Sequence, residues 1–321
     1  MHGTHPYDIL QSIFPLIPCL REKVKVGLLG VGLDTYWKQF DGLLARLLSY
    51  QDSISSQIGA MDAEVINVGM VDTPEKARQS AMFLKQADVE VVFLFISTYA
   101  LSSTILPVAQ VVGKPIVMLN VQPTSAIDYA FVNSMSDRGK MTGEWLAHCQ
   151  ACSVPEFASV FNRAGIKYDI VTGYLSDESV WEEVASWVAA SRVVYGLRNN
   201  RLGILGHYYC GMLDVYTDVT RLSATFGTHI EMLEMCELKA LRDEVTDMEM
   251  NEKLKEFHEK FEVSSLCESI ELTRAAKTSV ALDKLVKSHR ITVLSSALTG
   301  QQTAVAVLHE KKKKKQFTDY T

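Results

Sequence analysis

The chain has 321 residues, 47% hydrophobic and 22% charged, a composition typical of a folded globular protein and not of a disordered one. Its formal charge is −6, and setting aside the five lysines Lys311–Lys315 leaves −11 for the rest, an acidic body that argues against a nucleic-acid surface. No apolar run reaches the roughly 18 residues that span a bilayer, and Pro15 and Pro18 interrupt the mildly apolar segment 9–20, so neither a membrane partner nor a signal peptide is expected and the reading is cytoplasmic.

The length predicts two domains. Residues 1–22 read as a loose leader, 23–198 as an N-terminal α/β domain, 199–294 as a central α/β domain, and 295–321 as an atypical tail carrying the lysine run. Six cysteines without framework spacing read as reduced thiols.

In chain order, a strand at 24–29 precedes a helix at about 37–59. A strand at 64–68, a helix at 74–87 and a strand at 91–96 follow; Pro74 suits the first turn of its helix, with Thr73 as N-cap. A helix near 102–112 leads to a strand at 116–119, and a helix at 137–149 comes next. Residues 157–161 fit helix or strand, 168–171 a strand, and 180–197 a long helix. Arg198-Asn199-Asn200-Arg201 reads as a linker. Beyond it come a strand at 202–205, a helix at 212–226 ended by Gly227, a strand at 229–233, helices at 237–261 and 268–289, and a strand at 291–294. Strands that are apolar almost throughout and alternate with helices predict an α/β fold: two Rossmann-like, doubly wound domains, each with a parallel sheet covered on both faces.

Four apolar strands end in polar and aromatic clusters: Asp34-Thr35-Tyr36-Trp37, Ser97-Thr98-Tyr99, Asn120-Val121-Gln122-Pro123 and His207-Tyr208-Tyr209. The carboxyl ends of parallel strands are where open α/β sheets bind ligands, so these clusters predict a sugar-sized site. Gln122 offers both a donor and an acceptor, which suits a sugar hydroxyl or equally the capping of its own loop. Tyr36 and Tyr99 supply flat apolar faces with hydroxyl tips, useful against a polyol and also common at domain edges. His207 is either a ligand contact or a structural hydrogen-bonding group.

Other motifs have plainer readings. Gly27, Gly30 and Gly32 surround the first strand, but a dinucleotide fingerprint needs a third glycine where Thr35 stands; they are expected to let the chain turn tightly. His148-Cys149-Gln150-Ala151-Cys152 contains a C-x-x-C without the second ligand pair of a zinc site, and is expected to hold buried thiols. Asp137, Arg138 and Glu144 read as helix-terminal charges, and the lysine run as a solvated tail.

The segments VGLLGVGLDTYWKQFDGL, FLFISTYALSSTILPVAQ, PIVMLNVQPTSAIDYA, MTGEWLAHCQACSVPEFASVFNRA, VTGYLSDESVWEEV and GILGHYYCGMLDVYTDVT together resemble the L-arabinose isomerase family of the arabinose and fucose isomerase superfamily, over about 24–294. The resemblance implies an aldose-ketose isomerase with N-terminal and central α/β domains and a third, C-terminal domain. It also implies a divalent metal, commonly manganese, that holds two sugar oxygens while paired glutamates shuttle a proton. Gln122 would match the family's substrate-contacting glutamine, Tyr36 a tyrosine after the first strand, Tyr99 an aromatic beside Thr98, and Thr35 a neighbouring contact. In the family these residues reach into a neighbouring subunit's site, which implies a homo-oligomer. The resemblance stops at Leu294, before the family's metal-binding glutamates and histidines. The expectation is therefore a polypeptide that keeps substrate-side residues, offers no catalytic or metal-ligating residue, and is catalytically incomplete. The alternative from another class is a non-catalytic sugar-binding module.

Overall fold

A computed structural model describes residues 23–207, 211, 213, 216–296 and 308–310. The chain divides into two compact units, the first spanning Glu22–Gly196 and the second taking up at Leu197.

The first unit contains β1 (Val24–Val31), a single turn α1 (Asp34–Trp37), α2 (Leu43–Ala60), β2 (Ala63–Val71), α3 (Pro74–Ala87), β3 (Val91–Ile96), α4 (Leu106–Val112) and β4 (Ile116–Gln122). It continues with α5 (Tyr129–Ser134), α6 (Arg138–Leu146), α7 (Val154–Ala164), β5 (Tyr168–Tyr174) and α8 (Glu178–Arg198). The five strands form one parallel sheet in the order β2-β1-β3-β4-β5. Strand periodicity sorts the core: Val92, Leu94 and Ile96 pack with residues of α3, α4 and α7, whereas Val91, Phe93 and Phe95 pack with α2 and α8. Phe93 and Phe95 are fully buried, each stabilising the unit by about 1.5–3 kcal/mol. A sheet covered on both faces leaves only its strand ends open to ligands.

Several local expectations change. The helix expected from residue 37 starts only at Leu43, behind Gly42 at φ +78°, and the single turn α1 precedes it separately. Residues 157–161 are helical, within α7. The three early glycines do not turn the chain. Gly27 and Gly30 lie within β1 and none of the three has positive φ; they make room. A Cβ at Gly32 would stand 2.7 Å from Trp37, and one at Gly30 would overlap Gln51 Oε1. The expected N-cap at Thr73 is present, accepting from Lys76 N at 3.3 Å.

The cysteines also depart from expectation. Cys149 and Cys152 are joined as a disulfide. The 3-10 turn Gln150–Ser153 brings their Cα atoms to 5.6 Å, within disulfide reach, so the C-x-x-C does not hold two separate thiols. Cys236 and Cys267 are free; Cys19 and Cys210 lie outside the described residues.

The second unit carries β6 (Arg201–Leu205), α9 (Val219–Phe226), β7 (His229–Leu233), α10 (Met235–Asp243), α11 (Asp247–Lys260), β8 (Phe261–Val263), α12 (Ser269–Ser288), β9 (Val293–Ser296) and β10 (Leu308–Glu310). Its parallel sheet has the order β7-β6-β9, packed on Leu238, Val280, Ala281 and Leu285 of the helices. The single helix expected over 237–261 is two, because Thr246 starts α11 with a capping box closed by Glu249. The helix expected from residue 212 starts at Val219, capped by Asp218. Within the stretch read as an atypical tail, β10 pairs antiparallel with β8; Lys311–Lys315 lie outside the described residues.

Candidate functional site

The order β2-β1-β3-β4-β5 reverses chain direction between β1 and β3, and the crevice at such a switch point, outside the carboxyl ends of the strands, is where doubly wound sheets bind ligands. Tyr36 stands on the turn after β1, and Tyr99 follows β3. Burial raises the Tyr36 phenol above its ordinary value, and the neighbouring Tyr99 phenol raises it further. Gln122 closes β4, one strand beyond β3. It is the last residue of the strand and not part of the loop: its carbonyl accepts from Leu175 N at 2.9 Å, and its half-buried side chain has no hydrogen-bond partner among the described residues. Adjacent strands lie about 4.8 Å apart, so the ends of β1, β3 and β4 extend over roughly 10 Å.

The backbone under these side chains is braced from several elements. Trp37 Nε1 donates to Asp72 Oδ2 at 2.7 Å, and Lys76 Nζ lies 2.7 Å from Oδ1 of the same buried carboxylate. This pins α1 to the end of β2. The Tyr36 ring meets Phe40 edge-on, 5.8 Å between centroids. After β3, Ser97 Oγ donates to Val31 O at 2.6 Å and Thr98 Oγ1 to Leu146 O at 2.8 Å. Fully buried Gln150 donates through Nε2 to Ser97 O (2.9 Å) and Ala147 O (2.8 Å), and Ser153 Oγ accepts from Ala100 N at 2.8 Å. The turn that carries the disulfide therefore holds the strand end that carries Tyr99.

Nearby, Arg46 Nη1 on α2 meets Glu144 Oε2 on α6 at 2.6 Å, with Arg46 Nε donating to Tyr50 Oη at 2.6 Å. The Arg46 hydrogen bond lowers the Glu144 carboxyl below its usual range. Glu144 is thus a partner between helices and not a first-turn charge, while Asp137 caps α6 by accepting from Gly139 N and Lys140 N. A cavity of about 590 Å³ lined by Lys23, Lys25, Glu64, Asp88 and Tyr195 lies at the opposite, amino-terminal edge of the sheet and contains none of the candidate residues.

Of the residues singled out in the sequence, Tyr36, Tyr99 and Gln122 lie along three neighbouring strand ends. Thr35 is exposed on α1, its carbonyl accepting from Gln39 Nε2 at 3.0 Å. His207 belongs to the second unit, where its exposed ring is 3.8 Å from Glu234 at the end of β7; Tyr208 and Tyr209 lie outside the described residues. The sequence reading missed Asp72, Gln150 and Ser153. Asp72 follows an apolar run as the other clusters do, but the expected strand stopped at Val68, whereas β2 passes through Gly69 at φ +74° to Val71.

No family model matches the chain. Its curated relatives are L-arabinose isomerases. The protein from Nocardioides sp. (strain ATCC BAA-499 / JS614) is 26% identical over 152 residues, 47% of this chain and 29% of that protein. The protein from Bifidobacterium adolescentis is 25% identical over 191 residues, 57% of this chain and 35% of its own length, and that from Bifidobacterium longum (strain DJO10A) is 26% identical over 159 residues, 48% and 29%. The relationship is distant, and the chain spans about a third of the length of the relatives it matches.

Proposed function

We propose that this chain is a sugar-recognising, isomerase-like polypeptide of carbohydrate metabolism, whose first unit presents Tyr36, Tyr99 and Gln122, with Thr35 beside them, to a small aldose or ketose. The observation that carries the reading is the position of three polyol-compatible side chains on the ends of β1, β3 and β4, at the switch point of the sheet. The distant similarity to L-arabinose isomerases supports the substrate class. Phenol faces shed water against the C–H face of a sugar, and the Gln122 carboxamide can accept from one hydroxyl while donating to the next. His207, after β6 in the second unit, is proposed as a separate sugar contact of that unit. We place the protein in the cytoplasm, as a homo-oligomer.

The metal that the family resemblance implies does not fit the described residues, among which no group of three or more His, Cys, Asp or Glu could hold an ion. The proposed role is recognition without turnover by this chain alone.

Titration calorimetry with pentoses and hexoses, with and without Mn²⁺, tests the reading, together with an aldose-ketose conversion assay. Saturable binding independent of Mn²⁺, abolished in Gln122→Leu, is expected. Binding unchanged in Gln122→Leu would remove the site assignment, and turnover by the chain alone would establish an isomerase in place of a binding module.

A further inference from the structure

The disulfide of the 149–152 turn is placed where a structural staple would achieve little. It closes a ring of four residues, and a loop that short removes little chain entropy from the unfolded state. Its two sulfurs are not equivalent: Cys149 is 3% exposed, whereas Cys152 is exposed. The ring also encloses a residue on which the candidate site depends. Gln150, inside it, grips the Ser97 and Ala147 carbonyls, and Ser153, immediately after it, holds both the N–H and the C=O of Ala100. Three of these four backbone groups, the Ser97 carbonyl and the Ala100 N–H and C=O, belong to the segment 97–100 that carries Tyr99.

We propose that Cys149 and Cys152 form a reversible thiol–disulfide site, open to small thiols of the glutathione class at Cys152, which clamps the turn that braces the Ser97–Ala100 strand end. Reduction begins when an incoming thiolate attacks the exposed Cys152 sulfur; the Cys149–Cys152 bond breaks, Cys149 leaves as a thiolate and is protonated, and a mixed disulfide remains on Cys152. A second thiolate attacks the sulfur of the incoming thiol, releases Cys152 as a thiolate and leaves the two small thiols joined as their disulfide. Two electrons pass to the protein and two small thiols are oxidised. Oxidation by glutathione disulfide runs the same exchanges backward. The 3-10 turn then loses its covalent closure while keeping its hydrogen bonds, so Gln150 and Ser153 hold the strand end less firmly.

The test uses the full chain equilibrated with glutathione couples of graded ratio, acid-quenched, alkylated and peptide-mapped. The 149–152 pair should pass from internally bonded to doubly alkylated in one reversible transition approached identically from either side, with Cys236 alkylated throughout. In Cys149→Ser the glutathione adduct should form on Cys152. A pair that stays alkylated in the most oxidising couple, or stays bonded until denaturant is added, overturns the site; so does an adduct on Cys149 in Cys152→Ser that forms as fast as the one on Cys152. The wild-type titration needs no variant and no sugar, so its failure is separate from failure of the sugar-binding reading. Hydrogen exchange reads the clamp: the Ala100 amide should exchange about tenfold faster in the reduced chain, with the β3 interior unchanged. Equal Ala100 rates in both states overturn the coupling to the strand end.

Discussion

Replacing Trp37 by Phe tests whether the first strand end is held in place by one hydrogen bond. Trp37 Nε1 donates to Asp72 at 2.7 Å, and the carboxylate is 4% exposed. A hydrogen bond to a buried charged group is worth about 1.5–3 kcal/mol. Lys76 remains within 2.7 Å of the same carboxylate after the substitution, which favours the lower part of that range, about 1.5–2 kcal/mol. The indole ring also fills the space over Gly32, where a Cβ would stand 2.7 Å away; Phe has two fewer ring carbons and no ring nitrogen, and losing part of that packing at a half-buried site adds about 1 kcal/mol. The expected loss is therefore about 2.5–3 kcal/mol, a fall in Tm of roughly 5–12 °C for a unit of this size. Urea unfolding followed by circular dichroism measures it, with Asp72→Ala and the double variant closing a cycle whose coupling should be about 1–2 kcal/mol. A loss under about 1 kcal/mol, or coupling within about 0.3 kcal/mol of zero, would refute the claim that this bond anchors α1 and with it Tyr36. Because Phe keeps the apolar body of the side chain, a refuting result could not be ascribed to gross repacking.

Two further perturbations concern pH and one concerns packing. The Glu144 carboxyl lies below its ordinary value of 4.5 because Arg46 bonds to it, so its contribution is present above pH about 4.5 and lost as pH falls through the lower folded value; Glu144→Gln should flatten acid unfolding in that window, and an unchanged acid profile would count against the pair. In the second unit His289 is raised above 6.5, first by its hydrogen bond to Glu237 and then by Glu231, so that contribution is full below about pH 6.5 and lost as pH rises through the higher folded value. A stability profile of His289→Gln that lacks this alkaline decline is expected, and one that parallels the parent would contradict it. Gly30→Ala should destabilise the first unit by about 1–3 kcal/mol, because the new methyl overlaps the buried Gln51 side chain; equal urea midpoints would show that Gln51 can move aside.

What the sequence made legible follows from the range of the interactions. Elements whose signal is local were readable: α3 begins at Pro74 behind Thr73, and β3 is a run of six buried apolar residues. The placement of Tyr36, Tyr99 and Gln122 at strand ends was readable because each follows or closes such a run. The braces were not. Gln150 and Ser97 are 53 positions apart and Arg46 and Glu144 are 98 apart, and nothing in local periodicity links them. The glycines of β1 misled for a related reason: a glycine that makes room for Trp37 or Gln51 looks, in sequence, like one that turns the chain. The cysteine pair misled because scattered thiols suggested a reduced chain, while a C-x-x-C closed by a 3-10 turn needs only local geometry to bond.

The division of labour at the strand ends bears on how the site would work. The donors that hold the backbone there, Trp37 Nε1 to Asp72, Thr98 Oγ1 to Leu146 and Gln150 Nε2 to Ser97, find their acceptors within the first unit. The side chain proposed to meet the sugar most directly, Gln122, has no such partner among the described residues. A half-buried carboxamide at a sheet edge can stay hydrated at little cost until a ligand replaces its water, whereas a carboxamide already bonded inside the protein would have to exchange one partner for another. Rigid backbone beneath unpaired polar side chains keeps the ordering cost of binding low, which is the condition for appreciable affinity toward a ligand as small and as hydrated as a sugar. If the disulfide turn loosens on reduction, that ordering cost returns at the middle strand of the three, so affinity should respond there before any contact to the sugar is lost.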